Sequence, residues 1–167
     1  MKLSKNILLS IITIVLSACG STTNAEEPSS IPTPNIGIEF QNQKYLEVTA
    51  PDGWNSFKTS KPVSLLIRNI SDTQIVSDPD LDARIFVRTD DEWIEVQNKT
   101  VYLNESPITL KPNKNFDVTK TVSLFLLPDL PDDSVAYDVR IFVVGILIEN
   151  GEEAKKVASY IDLRLTP

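Results

Sequence analysis

From Ile36 onward the apolar residues of this chain fall largely at alternate positions, in short runs that each stop at a turn-forming cluster. Side chains two apart share one face of a strand, whereas a helix groups residues three and four apart. No segment keeps the helical period beyond about one turn, so the pattern predicts an all-β domain. The runs are 44–50, 62–69, 82–89, 92–97, 108–110, 115–125, 135–148 and 157–165. Between them stand Pro51-Asp52-Gly53, Asp78-Pro79-Asp80, Asp90-Asp91, Lys111-Pro112-Asn113, Pro131-Asp132-Asp133 and Asn150-Gly151, residues that preset or tolerate the backbone angles of turns. Asn150-Gly151 predicts a tight hairpin joining the last two strands. About seven to eight strands in roughly 130 residues predict an antiparallel β-sandwich.

With 41% apolar and 23% charged residues, the domain has the material for a core. Its single cysteine cannot form an internal disulfide, and without histidine the chain lacks the commonest general base and metal ligand. Packing alone must therefore hold the sheets together, and enzymatic chemistry is disfavoured. Leu127-Pro128-Asp129-Leu130 leads through a polar corner to Tyr137-Asp138-Val139-Arg140-Ile141. This stretch resembles the start of strand F in immunoglobulin and fibronectin type III domains, where an inward tyrosine closes the corner by hydrogen-bonding upstream backbone. The resemblance implies an immunoglobulin-like sandwich over residues 36–167 with Tyr137 as the corner residue; the plainer alternative is a tyrosine that fills the core.

The first residues read as a processing signal. Lys2 and Lys5 precede the apolar run Ile7–Leu16, which at about ten residues suits a signal peptide and is too short to span a bilayer. Leu16-Ser17-Ala18-Cys19 then resembles the lipobox of bacterial lipoproteins. The resemblance implies that residues 1–18 are removed and that Cys19 is acylated on sulfur and becomes the new N-terminus, which places the protein on the cell membrane or outer membrane, outside the cytoplasm. Gly20 rather than aspartate follows, so in a host with two membranes no inner-membrane retention is implied. Loss of Lys2 and Lys5 leaves the mature chain two charges more acidic than the -7 of the full sequence. Such a chain is repelled by nucleic acid and anionic lipid, so membrane attachment rests on acyl chains, each buried methylene contributing about 0.8 kcal/mol. Residues 19–35, rich in Ser, Thr and Pro, read as a disordered, flexible tether.

Alternation also sorts the faces. In 135–148 the set Val135, Tyr137, Val139, Ile141, Val143 points inward and Asp138, Arg140, Phe142, Val144, Ile146 outward; in 82–89 Arg84, Phe86 and Arg88 face out; in 157–165 Ala158, Tyr160, Asp162 and Arg164 do. If these are strands F, C and G of one sheet, Arg84, Phe86, Arg88, Arg140, Phe142, Tyr160 and Arg164 share a surface. Two readings stand open: a self-satisfied ladder of guanidinium, aromatic and carboxylate groups, or a recognition surface for a protein or glycan partner. The run Phe142–Ile148 is apolar on both faces, so its outer side needs a cover: a loop, the segment around Ile36, Ile38 and Phe40, or a partner.

Asp78, Asp80 and Asp82 alternate like the opening of an EF-hand loop, but the glycine and glutamate positions hold Ala83 and Thr89. A looser calcium site remains the only metal alternative, and no cofactor motif is present. Trp54 falls in a loop and Trp93 in a short strand, and neither alone marks a sugar site. The expectation is a membrane-anchored, non-catalytic binding or structural module, with a calcium-dependent or catalytic envelope protein as the alternative.

Overall fold

The computed structural model describes residues 32–38, 40–90, 92–102, 106–112 and 121–167. The expected signal peptide, the Leu16-Ser17-Ala18-Cys19 motif and most of the tether lie outside the described residues. Residues Ile31–Pro167 form one compact unit.

Ten strands are present among the described residues: β1 (Leu46–Thr49), β2 (Ser56–Lys58), β3 (Val63–Asn69), β4 (Gln74–Ser77), β5 (Arg84–Arg88), β6 (Trp93–Val96), β7 (Ile108–Leu110), β8 (Val122–Leu126), β9 (Tyr137–Glu149) and β10 (Glu152–Thr166). They make two sheets. The first is β1-β3-β8; the second runs β2-β10-β9-β4-β7, with β5 also on β9 and β6 on β5. Alternation builds the core between them: Leu46, Val48, Leu65, Ile67, Leu124 and Leu126 from one sheet meet Ile75, Ile85, Val139, Ile141, Leu163 and Leu165 from the other. The two sheets make a β-sandwich, and β5, β9 and β10, the strands expected as C, F and G, are neighbours in one of them.

The fold departs from the expectation at four places. The sheets are not purely antiparallel, because β2 runs parallel to β10. β2 and β4 are additional strands, whose few apolar residues, Phe57 in one and the adjacent Ile75 and Val76 in the other, show no alternation. β10 starts at Glu152 rather than Val157, since Asn150 (φ 54) and Gly151 (φ 85) turn the chain tightly enough to pair Glu149 with Glu152. Val135 does not enter the strand and is exposed.

Strand C is also split. Val76 pairs with Ile146 and Arg84 with Phe142, so the chain takes eight steps where β9 takes four. The surplus forms a bulge in which Leu81 (φ 56) drops its side chain into the core while Asp82 (φ 44) stays outside. Ser77 Oγ donates to the Val144 carbonyl at 2.6 Å and Val144 N–H donates to the Leu81 carbonyl at 2.8 Å, which closes the ladder across the gap. Gly145 lies opposite, where a Cβ would overlap Ile75 Cγ2.

Tyr137 packs against the core, and among the described residues its hydroxyl makes no hydrogen bond. The expected corner is therefore not closed by it. Tyr102 hydroxyl donates instead to the Phe125 carbonyl at 2.7 Å.

Candidate functional site

The outward side chains of β5, β9 and β10 fall in register. Arg84, Phe142 and Tyr160 make one row across the sheet, and Phe86, Arg140 and Asp162 the next; Asp138 and Arg164 pair one step further, toward Arg88. Guanidinium and aromatic groups alternate between the first two rows, so Arg84 and Arg140 each lie beside a ring. Arg140 stands 4.2 Å from the Tyr160 ring centroid and 5.0 Å from that of Trp93, and Arg84 stands 5.4 Å from Phe86. Phe142 is the hub, with centroids 5.4 Å from Tyr160, 5.7 Å from Phe86 and 5.3 Å from Phe40.

Phe40 and residues 32–38 form no strand but lie over this face as a strap. Ile36 is buried within the same cluster as Phe86, Phe142, Val144 and Ala158, and Ile38, Phe40, Trp93 and Tyr160 pack around it. The cover that the apolar outer side of β9 required is thus the chain's own N-terminal segment. Thr33, expected in the tether, accepts a hydrogen bond from Arg140 Nη1 at 3.0 Å, so packing begins before Ile36. At the other end Asn42 Oδ1 accepts from Ser159 Oγ and from Tyr160 N–H, both at 2.8 Å. Gln43 (φ 57) uses its amide to accept from Val48 N–H at 3.2 Å and donate to the Val48 carbonyl at 3.3 Å. A side chain thereby occupies the open edge of β1.

The guanidinium groups have their donors filled from within. Arg84 forks onto Glu95 at 2.7 and 2.6 Å and donates its remaining arm to the Ile36 carbonyl at 3.0 Å. Arg140 forks onto Asp162 at 2.7 and 2.8 Å. The hydrogen bond from Arg84 holds Glu95 below the usual carboxylate range, against a smaller opposing effect of burial, and the Asp162 carboxylate raises Arg140. Beside the strap, Lys155 Nζ donates to Tyr45 hydroxyl at 3.0 Å, and that bond, with Lys44 nearby, lowers the phenol from its ordinary value.

Of the residues expected to form a binding face, Arg84, Phe86, Arg140, Phe142 and Tyr160 do come together. Phe86 and Phe142, however, are 5% and 0% exposed, so they are interior residues under the strap and not surface ones. Arg88 and Arg164 remain exposed beside a shallow depression of about 450 Å³ shared with Asp138, where Arg164 donates to Asp138 at 2.8 Å. Sequence reasoning missed Glu95, Trp93 and Thr33 as partners of the arginines, although the alternation of Trp93 and Glu95 in β6 carries that signal. Asp78, Asp80 and Asp82 lie at the bulge, where Asp80 Oδ1 accepts from Asp82 N–H at 3.0 Å and the Asp78 carbonyl accepts from Leu81 N–H at 2.9 Å. Among the described residues no three acidic side chains stand close enough to share a cation, and no helix is long and apolar enough to cross a membrane. Comparison with protein-family models, curated proteins and solved structures finds no match to this chain.

Proposed function

We propose that this protein is a cell-envelope lipoprotein, held on the cell membrane or outer membrane by acyl chains on Cys19, whose sandwich acts outside the cytoplasm as a non-catalytic binding or structural module for a protein or glycan of the envelope. The Leu16-Ser17-Ala18-Cys19 motif behind a short apolar run carries the anchor. The way the domain spends its charges supports the non-catalytic reading. Arg84 and Arg140 pin a strap to a sheet, and the carboxylates of Glu95 and Asp162 are paired with those arginines.

Radiolabelled palmitate is expected to enter the wild-type protein and not Cys19→Ala, which should leave the membrane fraction or accumulate as precursor. Equal membrane recovery of the two proteins would sink the anchor.

A further inference from the structure

The strap covers one outer face, but at β2 the sandwich carries an aromatic pair, Trp54 and Phe57, whose tryptophan no described residue covers. A single turn of 3-10 helix, Pro51–Gly53, carries the chain from β1 to β2. Its geometry is fixed: Gly53 has φ 71, and Trp54 N–H donates to the Pro51 carbonyl at 3.0 Å. Further on, Arg164 N–H donates to the Asn55 carbonyl at 2.7 Å and Thr59 N–H to the Thr166 carbonyl at 2.8 Å. The backbone around Trp54 is therefore held on both sides, yet the tryptophan side chain is 59% exposed. Phe57 packs on the core and meets Trp54 edge-on at 6.1 Å and 61°. A rigid backbone presenting a large apolar side chain to water is what a contact surface has and a packed one lacks.

β2 is the terminal strand of its sheet. Because Asn55 and Thr59 hydrogen-bond toward β10, the pleat turns the peptide groups of the intervening even-numbered residues, Ser56 and Lys58, the other way, toward the open side. Trp54, Ser56, Phe57, Lys58, Lys61 and Ser64 line a trough of about 370 Å³ along that edge. Among the described residues Lys58, which also donates to the Pro167 carbonyl, and Lys61 are its only charged side chains, in a chain of net charge -7. Lysines do guard exposed edges against accidental pairing, but an edge built only to repel would not also hold out a tryptophan. The two rings meet as a corner, whereas a sugar ring stacks on a flat shelf.

We propose that this edge takes an extended acidic peptide of a partner protein, added as a strand beside β2, with Trp54 and Phe57 receiving an apolar side chain and Lys58 and Lys61 its carboxylates. The inference rests on the binding-module reading and does not require the lipid anchor.

The test is fluorescence anisotropy of labelled decapeptides on the purified full-length protein in detergent. The probes alternate Glu with Val, Ile, Tyr or Thr; a second set has Lys in place of Glu, and polygalacturonate is the competing acidic glycan. Saturable binding of the Glu set alone is expected, weakened about tenfold or more by Trp54→Ala and by Ser56→Pro, which removes an outward N–H but no bond to β10. Lys58→Glu/Lys61→Glu should abolish it. Melting temperatures identify any variant that fails to fold; if Ser56→Pro does, Trp54→Ala and the lysine reversals decide. Absence of binding, equal binding of the Lys set, preference for polygalacturonate, or indifference to Trp54→Ala in a folded variant overturns the proposal. Failure of the wild-type protein to incorporate palmitate, with peptide binding intact, would instead overturn the anchor alone.

Discussion

If the arginine rows hold the strap down, Arg140→Ala should cost far more stability than Arg88→Ala, although both arginines face outward from the same sheet. The Arg140 side chain is 13% exposed, and its partner Asp162 is 56% exposed. The fork onto such an accessible carboxylate is screened and contributes about 0.2–1 kcal/mol. Stacking beside Tyr160 and Trp93 adds about 0.5–1 kcal/mol for each ring, and the bond to Thr33 about 0.5–1.5 kcal/mol net. A loss of about 2–4.5 kcal/mol follows for Arg140→Ala, or roughly 6–18 °C in Tm for a domain of this size. Arg88 is exposed and has no ion-pair partner among the described residues, so Arg88→Ala should stay within about 0.5 kcal/mol of wild type. Urea unfolding followed by circular dichroism measures both, with the slope showing whether the native state has loosened. Moderate salt should leave most of the difference in place, because the stacks are screened less than the ion pair. If Arg140→Ala loses no more than Arg88→Ala, the rows do not hold the strap and the face must be read afresh.

The bulge and the Glu95 pair give two further tests. Gly145→Ala should destabilise by about 1–3 kcal/mol through its overlap with the Cγ2 methyl of buried Ile75, and Ile75→Ala, which removes that methyl, should cost less in the Gly145→Ala chain than in wild type; strict additivity in that cycle would show that the two sites do not touch. Glu95 has a lowered folded-state value, so its contribution is present above the ordinary carboxylate value of about 4.3 and is lost as pH falls through the lower folded value. Wild type and Glu95→Gln should accordingly differ in Tm at neutral pH and converge in acid, and a gap that widens on acidification would contradict the pairing with Arg84.

Much of the architecture was legible because side-chain alternation is a local property. Val139, Ile141 and Val143 face the core and Arg140 and Phe142 face away from it, as the period of two requires. The Asn150-Gly151 turn was legible for the same reason, since positive φ at both positions selects those residues. β2 was not, because Phe57 is its one apolar residue and shows no period, and its pairing with β10 joins segments about a hundred residues apart. The split of strand C was hidden too. Asp78–Asp82 reads as a turn and does turn, but nothing local says that the chain will rejoin the same edge of β9 after it.

What alternation leaves undetermined is the neighbour on the far side of a face, and the two sets of outward aromatics show how this bears on function. Phe86, Phe142 and Tyr160 look like a binding surface on paper because they are apolar, outward and interleaved with arginine. They are covered because Ile36, Ile38 and Phe40, also spaced by two, need burial as much as they do, and a segment joined to the domain reaches them at little entropic cost. Trp54 lies in a segment with one aromatic neighbour and no such complementary run nearby, so nothing in the described chain covers it. Composition ranks the arginine face above the Trp54 loop, and packing reverses the order. If peptide binding follows Trp54→Ala while Arg140→Ala changes only stability, the reversal is correct; if a folded Arg140→Ala protein loses peptide binding as completely as Trp54→Ala does, the strap-covered face belongs to the recognition site after all.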